Sequence, residues 1–379
     1  MVPLLRLLAA LAAAALLADA AASAQESRPP VSAAVNVTAQ LLAGIEPPPG
    51  DPRIERLVAS PQWQAHRDWL QSRWVKVKPR LAAMARWRQE SLPLDDASRR
   101  TLIYPFSGPD FLNAHALFAD HPHYVFFSRE RPGSLPDIAA LAEPQQVRML
   151  EDTRAALQDI FERNYFITDY MTRQLTTPFD SGTVPVIAVM MALTGHRIES
   201  IEPLDPFPEL TQEYSRPQAR RPAKLLRGVQ IRFAPADGPA GSARTLEYYS
   251  LDATDRALRW YPAFVEHVGR RQPATALLKS ASYLLHDDQF SRVREMLLAR
   301  TDVVVQDDTG IPLRHLAAAG WDVRLFGVYA PPIKPLAWGA QPDLKVAFEA
   351  AGAVPPLDFP FGYHGKDGRS MLLLARRGR

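Results

Sequence analysis

The chain contains no cysteine. That excludes disulfides, thiolate metal sites and a cysteine nucleophile together. It also lacks an excess of charge of either sign. Lys and Arg number 44 against 41 Asp and Glu, a formal charge of +3, and the two signs are interspersed. Nucleic-acid binders concentrate cations on one face; the most basic cluster here, "RRPAKLLR" at 220–227, is short and reads as a solvated loop, so no nucleic-acid partner is expected. Long apolar runs are missing beyond the N-terminal stretch. The next longest, 184–193, is far too short to span a bilayer. No fixed-period repeat is present.

The N-terminus carries one cation (Arg6), an apolar stretch through Leu17 and the small-residue triplet Ala22-Ser23-Ala24. This is the layout of a cleavable secretory signal over 1–24, cut after Ala24, and it predicts a periplasmic or extracellular protein. Residues 25–55 are Pro-rich ("RPPVSAAVNV", "IEPPPGDPR") and are expected to drape over the surface as a leader. Asn36-Val37-Thr38 fits a glycosylation acceptor on paper. Residues 56–94 carry Leu57, Trp63, Trp69, Trp74, Leu81, Met84 and Trp87 in a helical rhythm, so the Trp residues read as helix packing rather than a sugar platform.

From about residue 95 to 379, short β-rich runs alternate with helical ones. "TLIYPF", "HYVFFS", "HRIESIEPL", "ATALLKSASYL", "DVVVQDD", "WDVRLFGVYA" and "SMLLLARR" read as strands. "GVQIRFAP" and "RTLEYYSLD" form a hairpin at about 223–252, taken as an insertion or an antiparallel edge. A second Pro-rich segment, 202–222, reads as a lobe boundary. The alternation predicts an α/β fold with a mostly parallel, Rossmann-like sheet and helices on both faces.

In such a sheet ligands bind outside the carboxyl ends of the strands. That rule selects Ser107, Gly108, Asp110, Glu130, Arg314 and Tyr329 as candidate ligand-binding residues, and Asp307, Asp308, His286 and Lys279 as candidate catalytic ones. The turn "YPFSGPD" leaves a strand and starts a helix. Pro109 suits a first helical position, and a helix N-terminus there would attract an anion. The turn has one glycine, so it is neither a dinucleotide fingerprint nor a P-loop. It also lacks both glycines of a nucleophile elbow around Ser107. A triad of Ser107, Asp308 and His286 or His315 can be written down on residue types alone. His115, Asp120, His121 and His123 fall close together but read as a helix-to-strand turn with incidental histidines, so no metal is expected. Of Asp307 and Asp308, only one can face the crevice, as a general acid or base, while the other caps the turn.

Three stretches, "YPFSGPDFLNAHALF", "KSASYLLHDDQFSRVRE" and "DVVVQDDTGIPLRHL", with "WDVRLFGVYAPP" after them, resemble a family of uncharacterised exported bacterial proteins. The resemblance implies export and no particular activity. More remotely, the strand–turn–helix followed by a second strand ending in an acid (Glu130) resembles a class I methyltransferase-type Rossmann arrangement. It departs from that arrangement in having no glycine-rich first loop. The function expected is binding of a small polar or anionic molecule, with no cofactor. A carboxylate/His hydrolase or lyase is the first alternative, and a methyltransferase-like transferase the second.

Overall fold

A computed structural model describes residues 33–92, 94–95, 100–166, 182–204, 227–239 and 241–378. The signal at 1–24 and most of the 202–222 segment lie outside the described residues.

Helices α1 (Ala33–Leu42), α2 (Pro52–Ala59) and α3 (Pro61–Ser91) come first. Ser60 starts α3 by accepting a hydrogen bond from Trp63 N, with Pro61 at the first helical position, where its missing N–H costs nothing. Trp63, Leu70, Val77 and Met84 recur every seven residues and are buried, which turns one seam of α3 toward the core. The leader is therefore only partly a surface strap. Its residues 33–42 form α1, with Leu41 and Leu42 buried, because an apolar Ala/Val/Leu stretch that can reach the core is not left in water. The Asn36 amide is consumed by Ile198, donating to its carbonyl at 2.8 Å and accepting from its N–H at 2.8 Å, which argues against glycosylation there.

The sheet follows. Its strands are β1 (Thr101–Pro105), β2 (His123–Ser128), β3 (His196–Leu204), β4 (Arg227–Pro235), β5 (Arg244–Ser250), β6 (Ala274–Leu278), β7 (Val303–Gln306), β8 (Trp321–Gly327) and β9 (Met371–Arg377). Between them run α4 (Phe111–Phe118), α5 (Glu143–Arg163), α6 (Thr183–Leu193), α7 (Asp255–Leu258), α8 (Pro262–Gly269), α9 (Ser291–Arg300), α10 (Leu313–Ala318) and α11 (Pro342–Ala350). The spatial order is β3-β4-β5-β2-β1-β6-β7-β9-β8.

The expectation of a mostly parallel sheet is corrected. The sheet is mixed: β5, β2, β1, β6 and β7 pair in parallel at its centre. The margins β3–β4–β5 and β7–β9–β8 are antiparallel and account for most of the paired residues. Strand composition is silent on direction. β8 ends and β9 begins at the same edge of the sheet, so the chain re-enters without a crossover, and neighbours joined that way run antiparallel. The expected hairpin exists as β4–β5, yet it is not a separate appendage. β5 also pairs with β2 inside the parallel centre.

Both faces of the centre are covered, so β1 and β6 are buried at every position, the signature of interior parallel strands. On one face Tyr104, Phe126 and Tyr248 pack with Trp63, Leu70, Phe111, Leu157 and Ile187. On the other, Ile103, Val125, Phe127 and Val304 meet Phe264, Val293, Leu297 and Leu316. The Trp-rich helices thus share one core with the sheet. Among the described residues no helix is long and apolar enough to cross a membrane.

Candidate functional site

β1 and β6 are neighbours, but the chain leaves β1 toward β2 on one side and β6 toward β7 on the other. Loops that diverge this way leave a crevice at the carboxyl edge. Both loops are strained: Phe106 follows β1 at φ 57°, and Ser280, Ser282 and Tyr283 follow β6 at φ 52°, 50° and 57°. Each non-glycine residue held there costs about 1–2 kcal/mol, so surrounding contacts must fix it.

The contacts are visible. Asp110 caps α4, accepting from Asn113 N at 3.2 Å and Asn113 Nδ2 at 2.8 Å. It also accepts from Tyr104 OH at 2.9 Å and faces Lys279 Nζ at 3.1 Å. The side chains of Lys279 and Asp110 are 1% and 2% exposed, so this ion pair is closed off from water. Lys279 further donates to the carbonyl of Asn164, at the left-handed cap of α5. Asp307 receives Ser280 N at 2.8 Å and Thr309 N at 2.9 Å, with the Thr309 hydroxyl as a third donor. It therefore pins the β6 loop to the β7 loop. Tyr363 OH closes the same loop by donating to Ser280 O at 2.9 Å.

The expected residues fall into three groups along the rim. Asp110 and Lys279 meet between β1 and β6, beside Ser107 and Gly108; the Ser107 hydroxyl turns back to the Gly108 carbonyl at 2.9 Å. Glu130 stands past β2, buried, with no hydrogen-bond partner for Oε2 among the described residues. Its carbonyl accepts from Tyr248 OH, which also meets the Ser128 hydroxyl at 2.6 Å. The third group lies past β7 and β8. Asp308 is bound by Tyr283 OH, and burial, then the neighbouring Asp307, push its carboxyl up to about 7. His286 packs edge-on against Tyr283. Burial holds its imidazole down at about 4, with Arg314 acting in the same direction. Arg314 is exposed, and Tyr329 is half-buried against Phe348.

The His286 ring meets the backbone of Asp308 and Gly310; among the described residues no hydrogen bond joins the His286 or His315 ring to the Ser107 hydroxyl or to the Asp307 or Asp308 carboxylate, so the conceivable triad is not assembled. His115 meets His196 edge-on, His121 faces Thr275 Oγ1 at 3.5 Å, and Asp120 pairs with Arg88. Among the described residues no group of three or more His, Asp or Glu is placed to hold a metal ion. Both Asp307 and Asp308 are buried, and each is occupied by loop contacts.

Sequence reasoning missed Tyr104, Asn113, Asn164, Tyr283 and Tyr363. Asn113 was legible, because an Asp followed three residues later by a polar amide at a helix start is a cap-type pattern. Asn164 and Tyr363 carry no local signal, since both arrive from distant segments. A separate surface cleft of about 300 Å³ lies between α3 and α5, lined by Pro61, Gln62, Val147 and Arg154, well away from the strand ends. Compared with models of known protein families and with curated proteins, the chain matches none of them.

Proposed function

We propose that the protein is exported and holds a small polar ligand in the crevice between the β1 and β6 loops. One observation carries this reading. Four strained non-glycine residues and a buried Asp110–Lys279 pair gather where the strand order reverses. Strain and buried charge both work against stability, and their concentration at the edge where α/β sheets bind ligands favours a functional cause. A thermal-shift screen of the mature protein against sugars, organic acids, nucleosides and phosphates tests it. A compound at about 100 times its dissociation constant should add about 2.7 kcal/mol of stability. A ligand that stabilises the wild type but not a Ser280→Gly/Tyr283→Gly variant supports the site; no shift with any compound refutes it. Export rests on the N-terminal signal pattern, and an intact mass still containing residues 1–24 in the native host would refute that part.

A methyltransferase-like transferase is the second reading, and the strand order favours it. The run β5-β2-β1-β6-β7-β9-β8, with β9 reversed between β7 and β8, resembles the order of class I methyltransferase domains. Glu130 stands where that arrangement carries its acidic residue. The glycine-poor β1 loop speaks against it, as fold likeness alone carries little about chemistry. Calorimetric titration with S-adenosylmethionine separates the two readings: tight binding that Glu130→Ala abolishes favours the transferase. The hydrolase or lyase has the least support, because Asp307 and Asp308 are tied to the loops and the His286 ring meets the Asp308 backbone rather than either carboxylate.

A further inference from the structure

On the β6 side of the crevice, several donors and acceptors have no partner among the described residues. Arg80, from α3, donates through Nη2 to Ile160 O at 3.2 Å, the same carbonyl that receives Asn164 N at 3.2 Å. Its Nε is buried and has no hydrogen-bond partner. Lys279 Nζ has three protons, and two are directed at Asp110 and at Asn164 O. Asn164 is 1% exposed; its Nδ2 donates to Pro360 O at 2.8 Å, while Oδ1 has no partner. The Ser280 hydroxyl is likewise buried and unpaired.

Two cations and two carboxylates meet in the same place, since Asp307 also lies near enough to act on Lys279. Asp110 is the carboxylate facing Lys279, and it is already satisfied by Tyr104, Asn113 and Lys279. Arg80 adds a second cation. Burial pulls its guanidinium down to about 10, with Asp110 acting the other way. Neutralising the C-terminal end of α5 accounts for the bonds to Ile160 O and Asn164 O. It does not account for Arg80 Nε, Asn164 Oδ1 or the Ser280 hydroxyl. Buried polar groups are ordinarily paired, and here the unpaired ones comprise a cationic donor, an acceptor and a hydroxyl.

We propose that the ligand carries an oxyanion, a carboxylate or phosphate, next to a hydroxyl. The oxyanion is received by Arg80 and Lys279, and the hydroxyl by Asn164 Oδ1 and Ser280. This rests on the crevice reading above and adds the chemical class.

The test is calorimetric titration of the full mature protein with four probes and a neutral control. Glycerate and glycerol phosphate carry both groups, propionate and inorganic phosphate carry only the oxyanion, and glycerol carries only hydroxyls. The hydroxylated anions should bind most tightly, and the better of the two identifies the oxyanion. Arg80→Met should weaken them about ten- to a hundredfold, the loss of one hydrogen bond to a charged group, and Arg80→Lys should restore part of the affinity. Should Arg80→Met fail to fold, Ser280→Ala serves, because it removes a hydroxyl that makes no hydrogen bond among the described residues. It should bring glycerate and propionate to within about twofold of each other. Anions binding no better than glycerol, or an unchanged affinity in Arg80→Met or Ser280→Ala, overturns the proposal. If neutral sugars or nucleosides bind and no anion does, the proposal fails while the crevice reading stands; if nothing binds, both fail.

Discussion

The buried Lys279–Asp110 pair gives the most exacting test of how the two central loops are held. Replacing Asp110 with Asn keeps the helix cap, since Asn and Asp cap equally well. It leaves the ammonium facing only the Asn164 carbonyl among its present partners. That leaves the buried charge without its paired carboxylate and with only the longer-range field of Asp307 to offset it, and breaking a buried pair costs about 3–5 kcal/mol. Lys279→Met leaves a carboxylate that still receives Tyr104 OH and two groups of Asn113, so about 3 kcal/mol is expected. The double variant removes both charges and should cost less than the sum of the singles by about 2–3 kcal/mol. Guanidinium chloride unfolding, followed by fluorescence of the tryptophans, measures all three. Additive losses, or an Asp110→Asn variant as stable as wild type, would show that the two groups do not depend on each other and would refute the account of the loops.

Gly362 sits at φ +71° with an added Cβ only 2.5 Å from Asp307 Oδ2; Gly362→Ala should cost about 1–3 kcal/mol and expose the β6 loop to proteolysis. Ser280→Gly should stabilise the fold by up to about 1 kcal/mol by relieving a left-handed residue, while weakening ligand binding. A carboxyl raised to about 7 in Asp308 makes the fold more stable when it is protonated. That contribution is complete below the unfolded carboxylate pKa and disappears as pH rises through about 7, so Asp308→Asn should flatten stability against pH across that window. Glu247 behaves oppositely. Burial pushes its carboxyl up, but His267 and Arg271 outweigh that and hold it below the ordinary range. Its contribution is present above the unfolded glutamate pKa and lost as pH falls through the lower folded value, and Glu247→Gln should remove that acid sensitivity.

Much of the element order was legible, because β1, β2, β3, β7 and β9 are short runs with turn residues at their ends. The strand read through "ATALLKSASYL" was too long. β6 stops at Leu278, where Lys279 turns to meet Asp110 and Ser280 flips to positive φ. A run of small and apolar residues conceals that change, which depends on a partner 169 positions earlier in the chain. Strand direction was illegible for the same reason: β9 has the composition of an interior parallel strand but enters from the crevice edge. At the rim, residue types at strand ends identified Asp110 and Lys279 but not that they face each other. Asn164, Tyr363 and Arg80 come from α5, a late loop and α3, and only the completed core brings them together.

The position of β9 sets a schedule for folding. β8 has no other neighbour in the sheet, and β7 has β6 on its other side. During synthesis β8 therefore waits, with its backbone unpaired, until residues 371–377 have emerged. An unpaired apolar strand is a template for wrong pairing with other chains. Slowing delivery of the last segment should lengthen that exposure, and a holding chaperone would be most useful in this interval.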